Sequence, residues 1–475
     1  MRELGLFMEK EFYSKLAKKA LSNEPITKDE AHAILISEKI ELLDLLTAAY
    51  EVRKKYFGRE ITLHVINNVQ NGQCSENCKY CAQSVDSNSQ INEYAMKSDE
   101  EILDEAKQAY ESGAHRYCMV FSGRSISLER VRQLDKLIQK IKVTYPIEVC
   151  VSHGFLDKEK AEVLKRAGLD RLNHNLNTSN RYYSNICSTH EYQDRLKTLK
   201  EAHSANLQVC SGIIVGMGET IDDIYDMACS LRGLKAESIP INFYMPIEGV
   251  PLDIKPDLSS EYCLRVLCLF RLMNPEAEIR LAAGREIYLK DMQSFAFYPA
   301  NSLFINGYLN AEGESRLETY ERIKNSGFSI VSNFSLDELI TKERQEQPID
   351  AQNSNEIPQY IIKLITEKKY IGRMNDPDGA AQIKGPCGDE MEFYITINKN
   401  VLQDIKFDTS GCFFTYACGT MAAHLAFGKT IEEVLQISPG RIIKELRHLP
   451  KDHCHCAILS ISTLYKAIAD YWLKI

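Results

Sequence analysis

The sequence lacks long apolar runs and long basic runs, and each absence argues against a class of protein. No stretch approaches the roughly 18 consecutive apolar residues of a membrane-spanning helix. The first residues, MRELGLFMEKEF, are charged and contain no apolar core of a secretory leader, so we expect a cytoplasmic protein. Lysine and arginine form no long block and the net charge is -9, which gives no reason to expect nucleic acid or a membrane as a partner.

Tryptophan occurs once among 475 residues, but the composition is otherwise that of a large globular protein. Apolar residues make up 44% and charged residues 26%, which argues against a disordered or fibrous chain. At about 100 to 200 residues per domain, the length predicts two or three folding units. Cysteine is abundant, with 15 residues, and because disulfides are rare in a reducing compartment this number favours metal or redox chemistry.

Short β-rich runs alternate with amphipathic helical segments between residues 60 and 310. Eight strands separated by helices predict a (β/α)8 barrel of the TIM type, with an open doubly wound sheet as the alternative. The predicted strands are 61–66, 115–121, 147–152, 170–176, 208–215, 240–245, 278–282 and 302–305.

The chain divides into four predicted segments. Helical patterns before the first strand predict a cap on the barrel, and polar residues without apolar periodicity beyond the barrel predict a linker. Alternating apolar residues from Met391 to Ile397, followed by a turn at Asn398, predict a β-hairpin in a second, smaller α+β domain. The expected boundaries are 1–55 for the cap, 56–335 for the barrel, 336–355 for the linker and 356–475 for the second domain.

Three cysteines, Cys74, Cys78 and Cys81, directly follow the first predicted strand, at the barrel end where such folds carry their active sites. Three thiolates can hold three irons of a 4Fe-4S cluster and leave the fourth iron open to chelate the amino and carboxylate groups of S-adenosylmethionine. The alternatives are a structural zinc site or a helix face. Zinc sites usually need a fourth protein ligand, and this segment offers none.

The segment CSENCKYCAQS resembles the cluster motif of radical S-adenosylmethionine (radical SAM) enzymes, and the surrounding sequence is similar to the biotin synthase family. The similarity runs from about residue 40 to 315. The resemblance implies a radical SAM barrel that converts dethiobiotin to biotin by inserting sulfur. The blocks that carry it are GAHRYCMV, EVCVSHG, LDRLNHNLNTS, VCSGIIVGMGET, PINFYMPIEGVPL, RLAAGRE and ANSLFING.

Cys118, Cys150 and Cys210 lie on predicted strands two, three and five, and Arg280 lies on strand seven. A closed barrel would bring such residues to one interior point. Each cysteine alone would read as an ordinary buried residue. The resemblance implies that all four hold an auxiliary iron–sulfur cluster, which supplies the sulfur atom.

The type of the auxiliary cluster stays open between a 2Fe-2S form and a larger one. The segment FSGR at 121–124 replaces a stretch of small residues found in the family. Cys187 and His153 are additional potential ligands. Their alternative roles are a spare thiol and a hydrogen-bonded histidine.

Asn173, Asn175 and Asn177 alternate on predicted strand four, so we expect their amides on one face. Buried amides need polar partners, which are either a ligand or local backbone and water. The resemblance implies that Asn173, Asn175 and Asn242 contact dethiobiotin. Asn175 and Asn177 are also expected near the nucleoside, although Asn177 replaces the aspartate that binds ribose in other members.

Two further residues match nucleoside-binding positions of the family. The resemblance implies that Arg195 pairs with the carboxylate of S-adenosylmethionine, a role that suits a guanidinium. It also places Tyr80 beside the adenine.

The C-terminal segments GPCGDEM, SGC and KDHC contain Cys387, Asp389, Cys412 and Cys454. They resemble the N-terminal, NifU-like iron–sulfur scaffold family over residues 356–475. The resemblance implies a labile 2Fe-2S cluster on these four residues, and zinc is the alternative because the same ligands accept it. Helix geometry places Cys456 nearly opposite Cys454, so we expect Cys456, like Cys418, to lie outside this ligand set.

Together the resemblances imply an enzyme whose tethered scaffold domain rebuilds the consumed auxiliary cluster. The expected partners are dethiobiotin, S-adenosylmethionine, a flavodoxin- or ferredoxin-type electron donor, a cysteine desulfurase and a second copy of the chain. Two other functions stay open: a related radical SAM enzyme with another substrate, and a non-catalytic iron–sulfur carrier.

Overall fold

The chain forms two compact units, Met1–Thr341 and Lys342–Ile475. The computed structural model describes residues 2–346, 358–385, 388–447, 449–450 and 453–474. A parallel barrel forms the first unit, and a three-stranded antiparallel sheet with helices forms the second.

Parallel strands close the barrel of the first unit. They are β1 (Glu60–Gln70), β2 (Arg116–Phe121), β3 (Glu148–Ser152), β4 (Arg171–Asn173), β5 (Gln208–Cys210), β6 (Ile213–Val215), β7 (Ser238–Phe243), β8 (Glu278–Leu281) and β9 (Ser302–Ile305). A short strand, β10 (Ser329–Ile330), pairs with the start of β1. Strands β5 and β6 are two arms of one predicted strand, interrupted at Ser211 and Gly212, and both pair with β7. Because β1 pairs with both β2 and β9, the ring is closed. The predicted (β/α)8 barrel is confirmed, and the open doubly wound sheet is wrong.

Helices surround the barrel, and side-chain caps begin several of them. Ser98 forms a capping box at the start of the helix Asp99–Glu111, and Thr220 forms one at the start of the helix Ile221–Gly233. None of the helices that the structure describes is both long and apolar enough to cross a bilayer. The helices are α1 (Arg2–Leu21), α2 (Lys28–Ile36), α3 (Leu42–Phe57), α4 (Asp99–Glu111), α5 (Leu128–Thr144), α6 (Lys158–Arg166), α7 (Tyr183–Ile186), α8 (Tyr192–Ser204), α9 (Ile221–Gly233), α10 (Ser260–Met273), α11 (Arg285–Leu289), α12 (Arg316–Asn325) and α13 (Leu336–Glu346), with a 3-10 helix at Lys290–Phe297.

The N-terminal helices are attached to the barrel through a buried arginine. Arg265 of α10 donates hydrogen bonds to the carbonyls of Ile34, Ser37 and Ile40, at distances between 2.9 and 3.2 Å. These carbonyls lie at the end of α2 and just beyond it, where helical partners are missing. The guanidinium therefore satisfies exposed backbone acceptors while it fixes α2 on α10.

The start of the predicted linker differs from the structure. Residues 336–346 form α13, and Leu339 and Ile340 are buried on it. Leu336, Leu339 and Ile340 have the spacing of one helix face, an apolar pattern that the many polar neighbours obscure in the sequence. The rest of the predicted linker, 347–355, lies outside the described residues.

The second unit packs helices on an antiparallel sheet, as its predicted α+β class requires. Strands β12 and β13 form the predicted hairpin, with Met391, Phe393 and Ile395 buried. Lys399 and Asn400 turn the chain with positive φ angles of 50° and 62°. The elements are α14 (Gln359–Thr366), β11 (Gly379–Lys384), β12 (Glu390–Asn398), β13 (Val401–Thr409), α15 (Phe413–Ala426), α16 (Ile431–Val434), α17 (Pro439–Leu446) and α18 (Cys454–Lys474).

Candidate active site and scaffold site

A cavity of ≈ 390 Å³ opens at the C-terminal ends of the barrel strands. This volume lies within the range of small-molecule sites. The structure brings most predicted site residues of the first unit to its wall. Those that line it are Cys74, Cys78, Tyr80, Cys81, Cys118, Asn173, Asn175, Asn177, Arg195 and Asn242.

The three motif cysteines lie on the loop that follows β1. The amide of Cys81 donates to the carbonyl of Cys78 at 3.1 Å, which folds the loop into a turn. Burial raises the pKa of the Cys81 thiol to about 11, so this thiol keeps its proton until a metal ion displaces it. Three thiols on one wall of a cavity fit a cluster that is held by three cysteines and open on its fourth iron.

Arg195 of α8 is fixed next to the motif loop. It donates to the carbonyl of Asn175 at 2.8 Å and to Nε2 of His190 at 2.9 Å, and it also contacts the Tyr183 hydroxyl. A guanidinium has five N–H bonds, so donors remain for a carboxylate in the cavity. Its Nη2 atom lies 4.0 Å from Cys78 Sγ, so this donor lies beside the motif loop.

The asparagine face differs from its prediction because β4 ends at Asn173. Beyond that point Asn175 Oδ1 accepts from Gly212 N at 2.8 Å, so a side chain replaces the backbone ladder where the fifth strand is interrupted. Asn177 has a φ of 68°, a conformation that asparagine tolerates better than most residues, and its Nδ2 lies 2.5 Å from the Tyr80 hydroxyl. Asn242 Nδ2 likewise donates to Ile213 O at 3.0 Å. All of these amides line the cavity, and local backbone satisfies part of their hydrogen bonding.

The predicted auxiliary ligands lie on β2, β3, β5 and β8, and all four are buried in the barrel. Cys118 and Cys150 are direct partners in the register of β2 and β3, and Cys210 is the partner of Asn173. Arg280 Nη1 lies 3.6 Å from Cys210 Sγ. The buried Nε of Arg280 has no hydrogen-bond partner among the described residues. Three buried thiols and a guanidinium with unused donor capacity fit the expected auxiliary cluster.

A buried carboxylate, Glu278, lies next to Arg280 on the same strand. It accepts hydrogen bonds from Arg116 and Arg171 at 3.1 Å each and also contacts Arg280. His64 Nε2 lies 3.0 Å away. Burial alone would raise the pKa of Glu278, but Arg280, Arg116 and the other cations hold it well below its usual range. Glu278 is therefore charged and orients Arg280 toward the cysteines.

Cys187 and His153, the two additional ligand candidates, lie in different surroundings. Cys187 Sγ is 3.8 Å from Cys78 Sγ, so the structure places it beside the motif loop. His153 is buried, and neither ring nitrogen has a hydrogen-bond partner among the described residues. Burial lowers the pKa of His153 to about 4, so its ring is neutral at neutral pH. His153 is not part of the cavity wall.

The second unit gathers its own ligand-bearing side chains at the start of α15. Thr415 Oγ1 donates to Asp389 Oδ2 at 3.0 Å and lies 3.3 Å from Cys456 Sγ. Cys412 Sγ lies 3.6 Å from both Thr415 Oγ1 and His453 Nδ1. Hydrogen bonds from Cys456 and Thr415 lower the pKa of Cys412 to about 5, so a thiolate is available for a metal.

Cys456 occupies the position that the sequence prediction gave to Cys454. The ligand atoms of Cys412, His453 and Cys456 all lie within 4.8 Å of one another, whereas Cys454 Sγ contacts the carbonyl of Pro450 at 3.7 Å. Two residues along α18 rotate the side chain by about 200°, so only one of the two cysteines can face Cys412. Cys387, the fourth predicted ligand, lies outside the described residues.

Family models match both units of the chain. Residues 70–229 match the Radical SAM superfamily, and residues 240–329 match the Biotin and Thiamin Synthesis associated domain. Residues 358–475 match the NifU-like N terminal domain. The biotin synthase of Magnetococcus marinus is 53% identical over 315 residues, which cover 66% of this chain and 98% of the relative. The chain belongs to the biotin synthase family.

Other relatives support the same assignment for the first unit of this biotin synthase family member. The biotin synthase of Acaryochloris marina is 49% identical over 316 residues, 66% of this chain and 91% of the relative. Among solved structures, a methylornithine synthase matches with a TM-score of 0.58 and 19% identity, over 69% of this chain and 99% of that one. The FeFe-hydrogenase maturase from Carboxydothermus hydrogenoformans matches with a TM-score of 0.59 and 18% identity, over 77% of this chain and 89% of that one. At these identities the solved structures show the shared fold alone.

Three features of this biotin synthase family member were missed at the sequence level. Glu278 stands two residues before Arg280 on one strand, and this spacing could have indicated a shared inward face. His190 gave no signal, since its link to the motif loop depends on tertiary contacts. Cys456 was set aside because its helical position is nearly opposite that of Cys454, and α18 includes both cysteines.

Replacing Glu278 by glutamine should destabilise the barrel. The change removes the charge that faces Arg116, Arg171 and Arg280, and leaving buried charges uncompensated costs about 3 to 5 kcal/mol. Urea denaturation would measure the loss in the free energy of unfolding. As a control, Glu159→Gln on the exposed side of α6 should stay within about 0.5 kcal/mol. Equal stability of both variants would contradict the role given to Glu278.

Alkylation of Cys412 in the metal-free protein should have an unusual pH profile. The thiolate is the reactive form, and because its pKa is lowered from 9.0 to about 5, the reaction should stay fast from neutral pH down to about pH 5 and slow below it. Cys456→Ala removes the hydrogen bond that contributes most to the lowered pKa of Cys412, so the profile should shift to higher pH. Thr420→Val, a buried change on α15, should leave it in place. Mass spectrometry of iodoacetamide-treated protein would follow the Cys412 peptide.

Proposed function

We propose that this chain is a biotin synthase that converts dethiobiotin to biotin and rebuilds its own sulfur source. The observation that carries the first part is one cavity lined by the motif cysteines and by Cys118. Such a cavity would bring one substrate into contact with both a radical-generating site and a sulfur-donating site. Membership in the radical SAM superfamily implies the 4Fe-4S cluster and S-adenosylmethionine.

The chain's own residues would bind and orient the substrates. Arg195 retains donors for the carboxylate of S-adenosylmethionine, and Tyr80 with Asn177 would hold its nucleoside. Asn173, Asn175 and Asn242 would hold the polar ring of dethiobiotin. When bound, the 4Fe-4S cluster supplies the electron that cleaves S-adenosylmethionine to a 5'-deoxyadenosyl radical. Apolar side chains at the cavity wall exclude water from the reacting groups; they include Ile66, Val120, Phe243 and Phe304.

Sulfur would come from the auxiliary cluster, which is a substrate because it is consumed. Cys118, Cys150 and Cys210 would hold it, with Arg280 as the fourth ligand. This set supports the 2Fe-2S form, since Cys187 lies beside Cys78 rather than in the layer of Cys150. Glu278 accepts a charged hydrogen bond from Arg280. It would thereby keep the guanidinium in place as the fourth ligand of the cluster.

The second unit would refill the auxiliary site. Cys412, Cys456 and Asp389, together with Cys387, would carry a labile 2Fe-2S cluster, with His453 beside them. A hard carboxylate holds iron less tightly than a thiolate, which favours transfer over storage. Because both sites belong to one chain, delivery would occur at high effective concentration. The proposal also includes a cysteine desulfurase as the source of sulfur and a flavodoxin- or ferredoxin-type protein as the reductant. The proposed assembly is a homodimer. Zinc at the second site is the competing assignment.

Anaerobic turnover separates this proposal from its competitors. Protein with reconstituted clusters, given reductant, S-adenosylmethionine and dethiobiotin, should yield biotin together with 5'-deoxyadenosine. Cys74→Ala should yield neither product, because the radical-generating cluster needs all three thiolates. Liquid chromatography with mass spectrometry measures both compounds. The parent protein forming 5'-deoxyadenosine without biotin would indicate another substrate, and forming neither would favour an iron–sulfur carrier.

Repeated turnover tests the refilling role through two neighbouring cysteines. With cysteine, a desulfurase and ferrous iron supplied, the parent protein should exceed one biotin per chain, whereas Cys456→Ala should stop near one. Cys454→Ala is the matched control and should behave as the parent, because its sulfur is not grouped with Cys412. Equal recovery in both variants would remove the refilling role and leave biotin formation itself untouched. Metal analysis of the parent protein and of Cys456→Ala shows whether the second site holds zinc or iron, because only the metal bound at that site should be lost in the variant.

A further inference from the structure

Cys78 and Cys187 form a buried pair of thiols that the proposed function does not use as a pair. Their sulfur atoms lie 3.8 Å apart, and the residues are only 8% and 3% exposed. Both are free cysteines. Cys78 lines the cavity and Cys187 does not, so a small molecule in the cavity reaches Cys78 first.

One backbone hydrogen bond and two bonds to the Asn77 side chain hold the two chain segments side by side at this pair. Lys79 N donates to Ile186 O at 2.9 Å. Asn77 Oδ1 accepts from the amides of Ser188 and Thr189 at 3.0 and 3.1 Å. Sulfur atoms in contact across a fixed backbone can close to the bond length of about 2.05 Å with little backbone movement.

Polar neighbours fix the side chain of Cys187 against Cys78. Thr189 Oγ1 and His190 Nδ1 lie 3.5 and 3.4 Å from Cys187 Sγ. Glu76 accepts from Thr189 Oγ1 at 2.7 Å and contacts His190 Nδ1. Since Glu76 belongs to the motif loop, this network ties Cys187 to the loop that carries Cys78.

We propose that Cys78 and Cys187 form a reversible disulfide in the cluster-free protein, which keeps a cluster ligand recoverable after exposure to peroxide. The proposal rests on the proposed function only in assigning Cys78 as a cluster ligand. Hydrogen peroxide, which is small enough to enter the cavity, oxidises the Cys78 thiol to a sulfenic acid and leaves as water. The sulfur of Cys187 then attacks the sulfenic sulfur, the S–S bond forms, the S–O bond breaks and a second water leaves.

The disulfide competes with an irreversible reaction. Without a neighbouring thiol, further peroxide takes a sulfenic acid to sulfinic and sulfonic acids, which ordinary thiol reductants do not reverse. A dithiol such as dithiothreitol reduces the disulfide to two thiols and becomes a cyclic disulfide itself. Cys187 is therefore a resolving cysteine for a metal ligand, and its role belongs to the interval before a cluster is loaded.

Peptide mapping of the full chain tests the bond directly. Cluster-free protein is treated with hydrogen peroxide, blocked with N-ethylmaleimide and digested with trypsin without reduction. Peptide 60–79, which contains Cys74 and Cys78, should be linked to peptide 182–195, which contains Cys187. Fragment spectra assign the bond to Cys78. A bond from Cys78 to Cys74 or Cys81 instead would overturn the proposal, whether or not the protein forms biotin.

Recovery of cluster binding tests the protective role. After peroxide and then dithiothreitol, the parent protein should regain its reconstituted 4Fe-4S absorbance, whereas Cys187→Ser should lose it several-fold and carry sulfinic or sulfonic acid at Cys78. Without peroxide, Cys187→Ser should reconstitute as the parent does, which checks its fold. Cys229→Ser, a half-buried cysteine on α9, is the matched control and should recover fully. Equal recovery of Cys187→Ser and the parent would overturn the role.

Discussion

Closure of the parallel barrel is the constraint on which the rest of the first unit depends. Because β1 pairs with both β2 and β9, side chains from strands far apart in sequence face one interior. Cys118 stands opposite Cys150 in register, and Arg280 reaches Cys210 from across β7. A shift of one residue in any strand would turn its ligand outward, since alternate residues face opposite sides. The hydrogen-bonded register therefore sets the ligand geometry.

The barrel interior carries charge at a depth where apolar packing is usual. Glu278 and its arginine partners cost desolvation energy and compensate one another only as a complete set. The hydrogen bond with Cys118 and burial raise the pKa of the Cys150 thiol, and the guanidinium groups of Arg116 and Arg280 oppose this rise. The stability of the barrel and the proposed auxiliary site thus depend on the same buried carboxylate.

The proposed cluster sites of the two units differ in their access to solvent. The cysteines and arginine predicted to hold the auxiliary cluster are buried within the barrel, whereas Cys412 is exposed at the start of α15. A buried cluster is protected from solvent, and a site with an exposed cysteine and a carboxylate ligand can release its cargo. This contrast gives a physical basis for a donor and an acceptor within one chain.

Periodicity and local spacing in the sequence were enough to predict the eight-stranded barrel and the hairpin of the second unit, because both patterns are local. Tertiary structure decided the rest. It interrupts the fifth strand at Gly212, where the Asn175 side chain replaces a backbone partner, and it selects Cys456 over Cys454 through the rotation of α18. It also places Cys187 against Cys78. Each of these depends on contacts between residues distant in the chain, which no local pattern records.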